Sequence, residues 1–162
     1  MKSIVIFYSL EGNTKFMANC IAQKLNADLL ELKPKNDPPA KGLTKYFLGS
    51  ISALLRAKPK LVNESVDLND YDNIIVGSPV WAGNLAPALN TFISQNEIID
   101  KSIVFFTCHG GKISGKCFER FKDCYPNNRF LGEIDFVEPL KTNPDDAKNK
   151  ANDWISVLPI RV

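Results

Sequence analysis

The chain has little of what many function classes require. It holds one histidine, two methionines, four cysteines and a net charge of only +2. The cysteines (Cys20, Cys108, Cys117 and Cys124) form no Cys-x-x-Cys pair. With His109 as the single histidine, a zinc-type ligand set lacks partners, and free buried thiols in a reducing compartment are expected. No stretch approaches the roughly 18 apolar residues of a membrane-spanning helix. The run Ile4–Tyr8 is too short for a signal-peptide core, and no small-residue cleavage site follows it. A cytoplasmic protein with no membrane span is therefore expected. The small net charge gives no reason to expect a nucleic-acid partner. The dinucleotide fingerprint Gly-x-Gly-x-x-Gly is missing, which argues against tight Rossmann-type NAD binding. A Cys-x5-Arg phosphatase loop is also missing, since Cys124 to Arg129 is one residue short. A receiver domain would need acidic residues at the end of the first strand, where Phe7, Tyr8 and Ser9 stand.

What is present is the composition of an ordinary globular chain: 162 residues, 44% hydrophobic and 23% charged. That length suits a single domain over residues 1–162. Apolar, β-branched runs occur at Ser3–Tyr8, Asp28–Leu32, Asn73–Ser78, Ser102–Cys108 and Leu131–Val137. They are continuous rather than alternating, as strands covered on both faces require. Helical patterns lie between them. Phe16, Met17, Cys20, Ile21 and Leu25 form one apolar stripe; Leu89, Phe92 and Ile93, opened by Pro87, form another. Phe118, Phe121 and Tyr125 mark a later helix, and Ala147, Ala151, Trp154, Ile155 and Leu158 the last. Asn143 is a capping residue for that last helix, Pro144 suits its first turn, Asp145 and Asp146 suit its positive end, and Pro159 stops it. Five alternations of strand and helix predict an α/β fold: a parallel sheet with helices on both sides.

Residues 33–60 are unusual. Lys33, Lys35, Lys41, Lys45, Arg56, Lys58 and Lys60 stand there against Asp37 alone. Within this segment, Phe47, Leu48, Ile51, Leu54 and Leu55 recur at helical spacing between Thr44 and Ala57. The pattern predicts an amphipathic helix covering the sheet, and its charge offers a surface for an acidic partner or a phosphorylated ligand.

In an open parallel sheet, ligands bind beyond the carboxyl ends of the strands, where strand order reverses. Three strand ends carry conspicuous loops: SLEGNT, SPVWAGN and CHGGKISG. In the first, a helix start supplies unpaired N–H groups, Gly12 permits close backbone approach, and Ser9 and Thr14 add hydroxyls; Asn13 is also a possible helix cap. The second places Trp81 among Pro79, Val80, Ala82 and Gly83, a wall for a flat ring. The third offers bare backbone at Gly110 and Gly111 beside Cys108 and His109.

A phosphate grip combined with a slot for a planar heterocycle resembles the flavodoxin-like FMN proteins of the short-chain type. Ser9, Gly12 and Thr14 match the family's (T/S)-x-T-G-x-T pattern, with Glu11 at the place of a hydroxyl. The stretch DYDNIIVGSPVWAGNLAPALNTFI resembles its third strand, flavin loop and following helix. The resemblance implies a three-layer α/β sandwich with a five-stranded parallel sheet in the order 2-1-3-4-5. It implies noncovalent FMN, with phosphate contacts at Ser9, Glu11 (through its N–H), Gly12, Asn13 and Thr14. It places the isoalloxazine against Pro79, Val80, Trp81, Ala82 and Gly83 on one side and Cys108, His109, Gly110 and Gly111 on the other. Two roles follow from it: an electron carrier serving a redox partner protein, or an NAD(P)H-dependent FMN oxidoreductase acting on a quinone-type acceptor. The family's ferredoxin-replacing members are strongly acidic, and this chain is not.

One rival pattern remains. Gly110–Cys117 reads Gly-x4-Gly-Lys-Cys, a nucleotide P-loop with cysteine in the place of Ser or Thr. A thiol is a poor substitute for the hard oxygen that Mg²⁺ needs. His109 lies in the expected flavin loop, where an imidazole can bond the ring or pass a proton.

Overall fold

β1 (Ser3–Phe7) is five consecutive buried residues and sits in the middle of the sheet. In the computed structural model, which describes residues 1–37, 51–111 and 116–160, it is followed by α1 (Asn13–Leu25) and β2 (Asp28–Glu31). A 3₁₀ turn at Leu68–Asp70 leads into β3 (Asn73–Trp81), β4 (Asn84–Leu85) and α2 (Pro87–Gln95). Then come β5 (Ser102–His109), α3 (Cys117–Cys124), β6 (Arg129–Val137) and α4 (Pro144–Val157).

The strand order is β2-β1-β3-β5-β6, all parallel. These five correspond to the expected 2-1-3-4-5. The sheet has a sixth strand that the sequence does not announce: the two-residue β4 folds back antiparallel on the end of β3. So β3 runs on to Trp81 rather than ending at Ser78, and half of the expected loop is strand.

Alternate residues of the central strands feed two cores. Ile4, Ile6, Ile74, Val76, Ile103 and Phe105 face α2 and α3, meeting Ala88, Leu89, Phe92 and Phe121. Val5, Phe7, Ile75, Val104 and Phe106 face the other way, onto Met17, Ala18 and Ile21 of α1 and Ala151 and Ile155 of α4. This is the three-layer sandwich. Gly77 is fixed by that packing: a Cβ there would lie 2.2 Å from the Phe106 ring. Only β1, β3 and β5 are covered on both faces. The edge strands are partly exposed, with Leu29 of β2 at 47%. β6 carries a bulge, since Ile103 pairs Phe130 while Val104 pairs Gly132.

α4 starts as its sequence predicts: Asn143 Oδ1 accepts the Asp146 N–H at 3.2 Å. The amphipathic helix expected over Thr44–Ala57 lies outside the described residues as far as residue 50. Residues 51–54 are helical, but in this described part the expected stripe faces outward, since Leu54 and Leu55 are 62% and 75% exposed and Ala53 is the buried residue. Polar bonds hold the following strip to α2 instead: Asn90 Nδ2 donates to the Ala57 carbonyl (3.2 Å) and Thr91 Oγ1 to that of Pro59 (2.7 Å). Among the described residues no helix is long and apolar enough to cross a membrane.

Candidate functional site

Strand order reverses between β1 and β3, and there the carboxyl ends of β1, β3 and β5 meet at a cleft of about 180 Å³. Ser9, Glu11, Asn13 and Thr14 line it from the β1–α1 turn. Pro79, Val80, Trp81 and Ala82 line it from the end of β3, and Cys108, His109 and Gly110 from β5. Gly12, Gly83 and Gly111 shape these segments without lining the cleft.

The turn after β1 is built around two residues. Gly12 takes the left-handed conformation (φ 94°, ψ −18°) and is the residue that caps α1, so Asn13 is the first helical residue rather than the cap. Ser9 Oγ accepts the N–H groups of Gly12 (3.2 Å) and Lys15 (3.1 Å), and Phe16 donates to the Gly12 carbonyl (2.8 Å). With its oxygen accepting twice, Ser9 keeps its hydroxyl hydrogen for a further acceptor. Helix geometry gives the N–H groups of Asn13 and Thr14 no internal acceptor, and both residues line the cleft. They form the positive end of α1, whose first turn holds no acidic side chain. The Asn13 side chain is occupied elsewhere: its Oδ1 accepts the Leu140 N–H at 3.1 Å. Thr14 is buried beside the Cys108 thiol. Burial pushes that thiol up to about 12, only partly offset by the neighbouring Thr14 side chain, so Cys108 is a neutral packing group.

β3 and β4 form a tight hairpin. Val80 pairs Leu85 and Trp81 pairs Asn84, leaving Ala82 (φ 49°) and Gly83 (φ 73°) as two left-handed residues, the pattern of a type I′ turn. The Asn84 amide donates to the Ala82 carbonyl (2.9 Å), and the Gly83 carbonyl accepts the Lys116 N–H (3.2 Å), which ties the hairpin tip to the start of α3. Trp81 is half-buried, and its ring meets Tyr8 edge-to-face, with centroids 5.6 Å apart at 84°. It is held by core packing on one side and lines the cleft on another.

His109 is 8% exposed. Its Nδ1 lies 2.7 Å from the Gly111 carbonyl and its Nε2 3.2 Å from Asp135 Oδ2. Both partners only accept, so both bonds form together only when the ring carries a proton on each nitrogen.

Two lining residues escaped the sequence reading, Leu10 and Glu138. Glu138 follows β6 and arrives because its N–H bonds the His109 carbonyl at 3.0 Å. Its carboxylate pairs with Lys141 and lies against Gly110, where an added Cβ would meet it at 3.5 Å. No loop signal marked it; only the β5–β6 pairing brings it there. Among the described residues lining the cleft none is lysine or arginine, while Glu11 and Glu138 are present. Among the described residues an anion seat here is made of backbone N–H groups and a hydroxyl. Among the described residues no group of three or more His, Cys, Asp or Glu side chains gathers as a metal site. Of the rival P-loop pattern Gly110–Cys117, residues 112–115 lie outside the described residues; its Cys117 is buried, with the thiol pushed up to about 12 by burial.

A flavodoxin family profile matches residues 2–156. A curated relative, NAD(P)H dehydrogenase (quinone) 3 of Rhizobium meliloti (strain 1021), is 28% identical over 127 residues. That match covers 71% of this chain and 56% of the relative, so the chain spans little more than half of the relative's length. A flavoprotein structure from Bacteroides eggerthii DSM 20697 superposes with a TM-score of 0.79 at 20% identity, covering 99% of both chains. A flavoprotein from Lactobacillus acidophilus NCFM, solved in complex with FMN, gives a TM-score of 0.70 at 23% identity over 88% of this chain and 97% of that one. With a profile match over almost its whole length and the matching topology, the chain belongs to the flavodoxin family.

Proposed function

We propose that this chain is an FMN-dependent redox protein that binds its flavin noncovalently in the cleft at the ends of β1, β3 and β5. The observation that carries the reading is the meeting of the open start of α1 and the Trp81 wall in that one cleft. The N–H groups of Asn13 and Thr14 and the Ser9 hydroxyl would hold the phosphate, with Gly12 setting the turn. Glu11 would contribute through its backbone. Trp81 and the hairpin at Ala82–Gly83 would flank the isoalloxazine, with Cys108, His109, Gly110 and Gly111 on the opposite side. At about 180 Å³ the cleft is smaller than the ~300–1000 Å³ pockets that enclose whole ligands. It therefore suits the phosphate and ribityl chain, with the ring at the rim where a partner can reach it. FMN supplies one- or two-electron chemistry; the protein binds it, orients it and sets its surroundings.

Two roles use this site. In the first, the protein carries electrons between redox partner proteins. The basic segment 33–60 then faces an acidic partner. In the second it is an NAD(P)H-dependent reductase of a quinone-type acceptor, a reading favoured by the curated relative and by the presence of His109 in the cleft lining. The free cysteines fit a reducing compartment such as the cytoplasm.

Purification decides the cofactor: the protein is expected to be yellow, or to take up added FMN with a change in the flavin spectrum. A colourless protein that takes up none overturns the proposal. For the loaded protein, rapid NAD(P)H oxidation dependent on an added quinone selects the reductase. Electron exchange with a redox protein and no such oxidation selects the carrier.

A further inference from the structure

Behind Trp81 lies a second cavity, of about 350 Å³, separated from the flavin cleft by that side chain, which lines both. It opens to solvent beside Asn36 and Asp37, both exposed, and its size is over ten times the ~30 Å³ share of a water molecule. Its walls are rigid and largely apolar. Pro34, Pro59 and Pro87 form three of them, and the Tyr8 and Trp81 rings two more. Its polar side chains, besides the Tyr8 hydroxyl, are Asn36, Asp37 and Ser52. The hydroxyl of Tyr8, a side chain only 2% exposed, donates to Asp37 Oδ1 at 3.0 Å. A buried tyrosine hydroxyl usually finds a partner. Here the partner is a carboxylate that lines the cavity, with no cation bonded to it among the described residues. One oxygen of Asp37 is taken by Tyr8, which leaves the other to accept a donor from a bound molecule.

We propose that this cavity is a second binding site, for a flat aromatic molecule of one or two rings carrying a hydroxyl or N–H that donates to Asp37. Pro34, Pro59 and Pro87 give apolar walls, and the half-buried Trp81 ring provides the aromatic contact. Asp37 is the one carboxylate in a lining whose other polar side chains, Asn36 and Ser52, are neutral, so it favours a ring with a donor over the same ring with its donor capped. The surrounding charge agrees. Partial desolvation of the carboxyl of this otherwise exposed residue, together with the neighbouring Glu31, holds Asp37 above the usual carboxylate range, against the lowering effect of the Tyr8 bond, so a neutral donor suits it better than a second carboxylate. Burial, then the Asp37 charge and the bond to it, push the Tyr8 hydroxyl up, so it stays protonated and keeps the carboxylate in place. The assignment as a site next to the flavin rests on the proposed function, because Trp81 connects the two spaces only if the ring lies against it. The cavity itself does not depend on that reading.

The probes are 2-naphthol and 2-methoxynaphthalene, the same ring with and without a donor, titrated calorimetrically into FMN-loaded protein. The expected result is saturable binding of 2-naphthol, with the methoxy compound weaker by about tenfold or more, as the loss of a designed hydrogen bond gives. Ala57→Phe, which fills the cavity from a residue outside the flavin cleft, abolishes the binding and leaves FMN affinity within about threefold, the usual scale of a change away from a site. Asp37→Ala, at an exposed residue that tolerates truncation, brings 2-naphthol down to the level of the methoxy compound. No binding to the unmodified protein overturns the proposal, as does binding that both substitutions leave unchanged. If the protein takes up no FMN but still binds 2-naphthol in an Asp37-dependent way, the flavin reading falls and the cavity site stands.

Discussion

Trp81 shows how one residue answers two demands. Its ring packs on Tyr8 edge-to-face, which fixes its position, and it also lines the cleft and the cavity behind it. Stacked aromatic pairs contribute ~0.5–1.5 kcal/mol beyond area burial. Trp81→Ala is therefore expected to weaken FMN binding by roughly tenfold. It should also restore flavin fluorescence, which stacking on indole quenches. Unchanged affinity and quenching in a fluorescence titration would return Trp81 to a packing role. The cysteines give a second test at this scale. Cys20, Cys108 and Cys117 are buried with thiols held above their ordinary range, those of Cys108 and Cys117 at about 12, whereas Cys124 is exposed. Since the thiolate is the reactive form, iodoacetamide at neutral pH should alkylate native protein at Cys124 alone. Mass spectrometry of the digested adduct reads the site, and modification of Cys108 in folded protein would contradict its packing against Thr14.

Elements carry the site through their ends. The β1–α1 turn depends on Gly12, whose positive φ costs an L-residue about 1–2 kcal/mol. A Cβ would also reach Leu140 Cδ1 at 3.4 Å, on the loop that Asn13 ties to the turn. Gly12→Ala should lower unfolding stability by about that strain and weaken FMN binding several-fold, because the N–H groups of Asn13 and Thr14 shift with the turn. Denaturant titration and FMN titration read the two effects separately; a variant as stable and as tight as the parent would show that the turn adapts freely. This scale also explains what the sequence could reveal. The three central strands were legible because burial on both faces demands unbroken apolar runs, and α4 because Asn143, Pro144 and the two aspartates act locally. β4 was not, since a two-residue strand exists only through pairing with β3. Nor was Glu138, which reaches the cleft through the register of β6 on β5 and through a backbone bond to His109. The apolar spacing at Ile51, Leu54 and Leu55 misled for a related reason. Periodicity reports a face, but not what covers it, and here polar bonds from Asn90 and Thr91 hold the adjoining strip.

At the scale of the molecule, near-neutral net charge conceals an uneven surface. The described part of the basic segment includes Arg56, Lys58 and Lys60, all exposed. Arg56 lies close enough to Arg120 that, after burial, its charge is the next cause holding the Arg120 guanidinium below its usual range. Arg120 bonds Asn90 Oδ1 through one nitrogen, while Nη1 is buried without a hydrogen-bond partner among the described residues. Positive potential on this side is thus incompletely compensated, and it neighbours α2 rather than the Gly12 turn where phosphate would sit. Charges at an interface rim act mainly on encounter rates and their salt dependence, not on the chemistry at the site. Replacing Arg56, Lys58 and Lys60 together with glutamine should leave FMN affinity within about threefold and slow electron exchange with an acidic redox protein by about tenfold at low salt. Raising the ionic strength to several hundred millimolar should erase the difference, since the Debye length then falls to a few ångströms. Stopped-flow rates across a salt series measure both. If the triple variant loses FMN instead, the segment supports the flavin site; if exchange is unchanged at every salt concentration, the partner docks on another face.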